Sequence, residues 1–246
     1  MNRCPQLASC AGTCLAEVLI ALAAGAVVLA ATVQALAHFD RRLTEQMTVM
    51  SRAQELRVGL KVLEEELRLA TAIEGQPILS VSPDGQTVEF WANLDGLATT
   101  LTNDVAPGQR EIRVTDGREW PSGKTIALCH GVDCEAARLA RDGRRASMAL
   151  TTPVGRFWQS GTQVSMRNRV RYYLKRETRG RVTLMRQVDG GANPLIGEIE
   201  RFRVHIAANS KGAQSVPPST LHVRIEIAVT GQSIPLVREM GVLTGL

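Results

Sequence analysis

An unbroken apolar run near the N-terminus constrains this chain more than any other feature. Val18 to Ala31 holds no polar side chain, and from Leu15 to Ala37 only Glu17, Thr32 and Gln34 interrupt the apolar character. About 20 residues of helix, rising 1.5 Å each, cross the roughly 30 Å of hydrocarbon in a bilayer. The stretch therefore reads as a membrane-spanning helix. A secretory signal fits less well, because its apolar core is about 7–15 residues long and a small-residue cleavage site follows it. Leu7-Ala8-Ser9-Cys10 has the outline of a lipoprotein signal with Cys10 as the acylated residue, but only Met1 to Gln6 precede it. Those residues supply no apolar segment to bring Cys10 to a membrane.

Glu17 stands at the start of this run. A carboxylate within a spanning helix costs about 2.5–3.5 kcal/mol on insertion scales and is functional by default; the bland alternative is a side chain that snorkels to the interface. In Gly12-Thr13-Cys14-Leu15-Ala16-Glu17-Val18-Leu19-Ile20, a glycine, a new first residue and a glutamate fifth after the cut precede an apolar segment. This layout resembles the prepilin leader of type IV pilins and type II secretion pseudopilins. The resemblance implies that a prepilin peptidase cuts between Gly12 and Thr13 and that the new N-terminus, Thr13, is N-methylated. It also implies that Glu17 guides filament assembly by pairing with the amino terminus at Thr13, its own or a neighbour's. The family usually carries Phe after the cut, where this chain has Thr13. Arg3 is the leader's single basic residue, while Arg41 and Arg42 flank the far end of the span. Charge alone would reverse the helix, so the orientation, a single pass through the bacterial inner membrane with the head in the periplasm, follows from the resemblance.

Beyond the span, Leu36, Phe39, Leu43, Met47, Met50, Leu56, Leu60, Leu63 and Leu67 recur three or four residues apart among charged and polar neighbours. That spacing predicts an amphipathic helix, continuous with the span from about Thr13 to Ala72 and ended by Gly75 and Pro77. Gly59 is expected to weaken it by about 1 kcal/mol relative to Ala. From Ile78 onward the period becomes two. Ile78–Val81 and Thr87–Trp91 flank the turn signal Ser82-Pro83-Asp84-Gly85, and Ile112/Val114, Phe202/Val204/Ile206 and Leu221/Val223/Ile225/Ile227 alternate with polar residues. The fold class expected is α+β: a long N-terminal helix, transmembrane then amphipathic, packed on an antiparallel β-sheet head, pilin-like, with one main core. The expected organisation is leader 1–12, span 13–37, amphipathic extension 38–75 and β-rich head 76–246. Order and length resemble the larger minor pilins of the PilW type and, nearly as well, the J-type pseudopilin of type II secretion.

The head offers little chemistry. Cys129-His130-Gly131-Val132-Asp133-Cys134 is expected to close a disulfide between Cys129 and Cys134 in an oxidising periplasm. A metal site there is disfavoured because no second cysteine or histidine pair stands at zinc-finger spacing. The histidines, His38, His130, His205 and His222, lack the contexts of metalloprotease, hydrolase or phosphate-loop motifs. Glu64-Glu65-Glu66 reads as a solvated helix face. Neither a catalytic set nor a cofactor or metal is therefore expected. The net charge of +5 is spread among other residues, and Arg169, Arg171 and Lys175 alternate with Val170, Tyr172 and Leu174 as on the wet face of a strand. A nucleic acid partner is disfavoured, although a DNA-uptake or adhesion role for that face would show itself by salt-dependent binding. The Ala208–Ser219 connection, longer than a hairpin needs, is a candidate contact with a neighbouring subunit. The leading expectation is a non-enzymatic minor subunit that helps initiate or cap a type IV pilus. Its partners would be other minor pilins or pseudopilins, the major pilin, the prepilin peptidase and the inner-membrane assembly platform. A minor pseudopilin of a type II secretion system is the rival.

Overall fold

The computed structural model describes residues 11–71, 77–131, 133–178, 180–207, 220–230 and 235–243. The chain divides into two compact units, Met1–Gln54 and Glu55–Leu246. Helix α1, Ala11–Arg68, supplies the first unit and opens the second. Alanine and leucine dominate its apolar part and no proline interrupts it, which suits a long helix.

In the second unit the helical stripe is buried as its spacing requires: Leu56, Leu60, Leu63 and Leu67 are each at most 5% exposed. The helix stops at Arg68, short of Ala72, because the chain turns into strand β1, Ala70–Thr71, whose residues pair with Ala92 and Trp91. The ladder takes the backbone groups that another helical turn would have used.

Among the described residues fourteen strands, β1 included, form three sheets. β2 (Leu79–Val81) and β3 (Thr87–Ala92) form the expected hairpin, and its turn is fastened by Asp84 Oδ1, which accepts from Ser82 Oγ at 2.5 Å and Gln86 N–H at 3.0 Å. β4 (Ala98–Thr100), β5 (Glu111–Arg113), β6 (Thr125–His130), β7 (Asp133–Arg138) and β8 (Ser147–Ala149) come next. β9 (Gln163–Arg176) is the longest strand and the spine of the large sheet. Its first half lies between β4 and β6, and its second half between β3 and β10 (Val182–Val188). Ala92 at the end of β3 is the register partner of Asn168. β10 returns through Asp189-Gly190, both at positive φ, into β11 (Gly191–Ile196). An Asp-Gly pair with that backbone is the favoured two-residue hairpin turn. β12 (Ile199–Ala207), β13 (Thr220–Val229) and β14 (Leu236–Leu243) make a separate antiparallel sheet, while β5 and β8 pair alone. The layout is thus a long, partly apolar N-terminal helix followed by an antiparallel β region.

Among the described residues the second unit contains two hydrophobic clusters where one was expected. The first joins the four helical leucines to Val88, Phe90, Val170, Tyr172 and Leu184 of the large sheet and to Phe202, Val204, Ile225 and Ile227 of the three-stranded sheet. The second, with Leu101, Ile112, Trp120, Leu128, Met148, Trp158 and Met166, runs from beyond β3 into the first half of β9 in sequence. Two clusters arise because β9 points Val164 and Met166 into one and, farther along the same face, Val170 and Tyr172 into the other. Asn168, 2% exposed, stands between them. Its side chain is satisfied there by Leu94 N–H at 3.1 Å, Asp189 Oδ2 at 3.1 Å and Asp95 Oδ2 at 3.2 Å, as a buried amide requires.

Candidate functional site

The first unit presents the functionally telling surface. From Leu15 to Arg52 every side chain of α1 is exposed; Ile20, Val27, Leu29 and Phe39 are each more than 65% exposed. Among the described residues this is one helix long and apolar enough to cross a membrane, and the rest of the chain buries none of its most apolar stretch. Leu36, Phe39, Leu43, Met47 and Met50, expected as the apolar stripe of an amphipathic extension, are exposed too. A contiguous apolar surface of this size marks a site for lipid or protein contact.

Glu17 is the single Asp, Glu, Lys or Arg from Leu15 to Phe39, and it is exposed. Gly12 and Thr13 lie on the helical backbone of α1, so positions 13 and 17 share a face one turn apart. The expected leader as far as Cys10, and the Ala208–Ser219 connection, lie outside the described residues.

At the other end of α1, Glu64, Glu65 and Glu66 do not form a common solvated face. Glu65 is exposed beside Lys61 at 3.7 Å, and Glu64 Oε1 faces Arg238 Nε at 3.4 Å. Glu66 is 8% exposed. Arg186 Nε donates to its two oxygens at 2.8 and 3.1 Å, and the Tyr172 hydroxyl donates to Oε2. Tyr172 is fully buried and stacks on Phe90 with ring centroids 6.3 Å apart. Burial, reinforced by the adjacent Glu66 carboxylate, pushes the Tyr172 hydroxyl up from its ordinary value. The hydrogen bond and charge of Glu66 likewise raise Arg186. Near the start of the unit, Glu55 Oε1 accepts from Gly197 N–H at 2.7 Å. With the Glu64–Arg238 pair, these contacts fasten the C-terminal part of α1 to the β region at three points.

The sequence held a weak signal for Glu66. Seven residues after Gly59, it shares that glycine's flank of the Leu56–Leu67 stripe, although consecutive glutamates obscured the position. Gly59 also has a task that its helix propensity hides, since a Cβ there would sit 2.4 Å from Ile196 Cγ1.

Cys129 and Cys134 face each other across the β6–β7 hairpin, Cα–Cα 4.2 Å, and are joined as a disulfide. His130, His205 and His222 are exposed, and among the described residues no cluster of His, Cys, Asp or Glu could hold a metal ion. Of the β9 cations, Arg169 Nε pairs with Glu89 at 2.6 Å, Arg171 lies 5.0 Å from the Tyr173 ring centroid and Lys175 is exposed. Comparison with protein-family models, with curated proteins and with solved structures found no match.

Proposed function

We propose that this chain is a non-enzymatic, membrane-anchored minor subunit of a type IV pilus-like filament, cut after Gly12 and methylated at Thr13. The observation that carries the reading is the apolar stretch of α1, which the described residues leave uncovered, with Glu17 as its lone carboxylate from Leu15 to Phe39. In a bilayer this surface lies against lipid. In an assembled fibre the same surface lies against neighbouring helices, where Glu17 pairs with an amino terminus and sets the axial register. An intramembrane carboxylate without such a partner is costly. The β region, fastened to α1 by Glu66 and Glu55, is the periplasmic head. It presents side chains to the major pilin, other minor subunits and the assembly platform.

The reading is tested by mass spectrometry of the protein purified from bacterial membranes. The expected result is a mature N-terminus at methylated Thr13. An intact Met1, or a lipid on Cys10, refutes it. Glu17→Ala is expected to leave membrane insertion intact and to abolish incorporation into filaments; normal incorporation would remove Glu17 from the mechanism.

A further inference from the structure

The solvent side of the large sheet carries a groove of about 440 Å³ that neither the anchor nor the hydrophobic clusters use. Residues directly opposite in register share a face of a sheet. Glu89 is opposite Arg171, Trp91 opposite Arg169, and Thr125 opposite both Arg138 and Arg167. The ladder thus gathers four arginines on one face, turned away from Val170 and Tyr172. Lys124 joins three of these arginines in lining the groove, so four cations meet the two carboxylates Glu89 and Asp189.

Both carboxylates are occupied. Glu89 holds Arg169, and Asp189 accepts from Lys124 Nζ at 2.6 Å, from Arg169 N–H at 2.8 Å and from Asn168. Arg138 and Arg171 have no carboxylate partner among the described residues. Arg138 Nε donates to Gly123 O at 2.7 Å, and Arg171 rests over Tyr173. A guanidinium has five N–H donors, so each retains a free edge suited to a carboxylate.

We propose that this groove is a docking site for an acidic peptide segment of a partner protein, with carboxylate side chains received by Arg138 and Arg171. Charge complementarity selects the occupant. Two unanswered guanidiniums match one or two carboxylates in bidentate geometry, and Trp91 supplies an apolar wall for the peptide's carbon atoms. A continuous polyanion would run against Glu89 and Asp189. The site does not depend on the leader or on Glu17, so its failure and that of the filament reading are separable.

The test is fluorescence anisotropy of a labelled tetraglutamate peptide titrated with the full chain in detergent. Saturable binding is expected, weakened about tenfold or more by Arg171→Gln, as loss of a charge-assisted pair implies. Arg138→Gln, on a different strand, is expected to weaken it similarly. Lys175→Gln removes the same charge from β9 outside the groove and is expected to leave affinity unchanged. Absence of saturable binding, equal loss in all three variants, or tighter Arg171-dependent binding of an oligothymidylate would each overturn the proposal, the last in favour of nucleic acid.

Discussion

Gly59→Ala sets helix propensity against packing. In an exposed helix the change stabilises by about 1 kcal/mol, because glycine loses more backbone entropy on folding. Here the new Cβ would lie 2.4 Å from Ile196 Cγ1, 2.7 Å from Ile196 Cδ1 and 3.3 Å from Leu195 Cγ. Ile196 is 1% exposed and belongs to the first cluster, so it has little room to yield. Overpacking of this kind costs about 1–3 kcal/mol, which leaves a net destabilisation of about 1 kcal/mol. The assay is urea unfolding of the full chain in detergent, followed by near-ultraviolet circular dichroism. Ile196→Ala removes both offending atoms and, by itself, costs about 2–5 kcal/mol. In that background Gly59→Ala should change sign and stabilise by up to about 1 kcal/mol, recovering the propensity term. A stabilising effect of Gly59→Ala in the unmodified chain, or the same effect in both backgrounds, would refute the packing argument.

Glu66→Ala leaves Arg186 and the Tyr172 hydroxyl facing a vacancy and is expected to cost about 3 kcal/mol in the same unfolding assay; Glu65→Ala, on the exposed face, should fall within about 0.5 kcal/mol. Burial alone would raise the Asp189 carboxyl, but Lys124, the Arg169 N–H and Asn168 outweigh it and hold it below its ordinary 3.8. The side chain and N–H of Arg118 hold Asp116 at about 2. Both groups bind protons more readily when unfolded, so the stability they contribute is fully present above about pH 4 and falls as pH drops through the folded values. Asp189→Asn should flatten that acid limb, as read from thermal midpoints between pH 5 and 2. Replacing both Cys129 and Cys134 with Ser removes a short closed loop and is expected to cost about 2 kcal/mol; thiol titration of the unfolded, unreduced protein should find neither cysteine free.

The elements legible in the sequence are those specified by neighbours in the chain. Ser82-Pro83-Asp84-Gly85 carries its turn in its own side chains, and Leu56, Leu60, Leu63 and Leu67 declare a buried stripe by spacing alone. In β12 and β13, the alternation of Phe202, Val204, Val223 and Ile225 with polar residues matches their burial. What stayed hidden depends on distant partners. Tyr172 and Arg186, far along the chain, decide that Glu66 is buried, and Ile196 decides that Gly59 is a fit rather than a flaw. β1 ends the helix early because β3 is there to receive it. Between Val164 and Asn168, β9 is buried at every position, so the period that reveals a half-wet strand vanishes there. β4 and β8, at three residues each, are too short to show a period. Of the candidate site, the apolar helix and Glu17 were plain from composition, because a surface left uncovered needs no partner to define it.

The pairing of Ala92 with Asn168 shapes how the β region is put together. Every buried residue of the first cluster lies at or before Ala92 or at or after Val170, and every one of the second lies between Leu101 and Met166. Residues 93–167 are therefore an excursion that leaves a β-hairpin and returns to its next rung. A short turn joining Ala92 to Asn168 would excise the second core while sparing every buried side chain of the first. The seat of the helix is thus assembled from two stretches of chain on either side of that excursion, which stays tied to it where Leu94 and Asp95 hold the buried Asn168 and Lys124 holds Asp189.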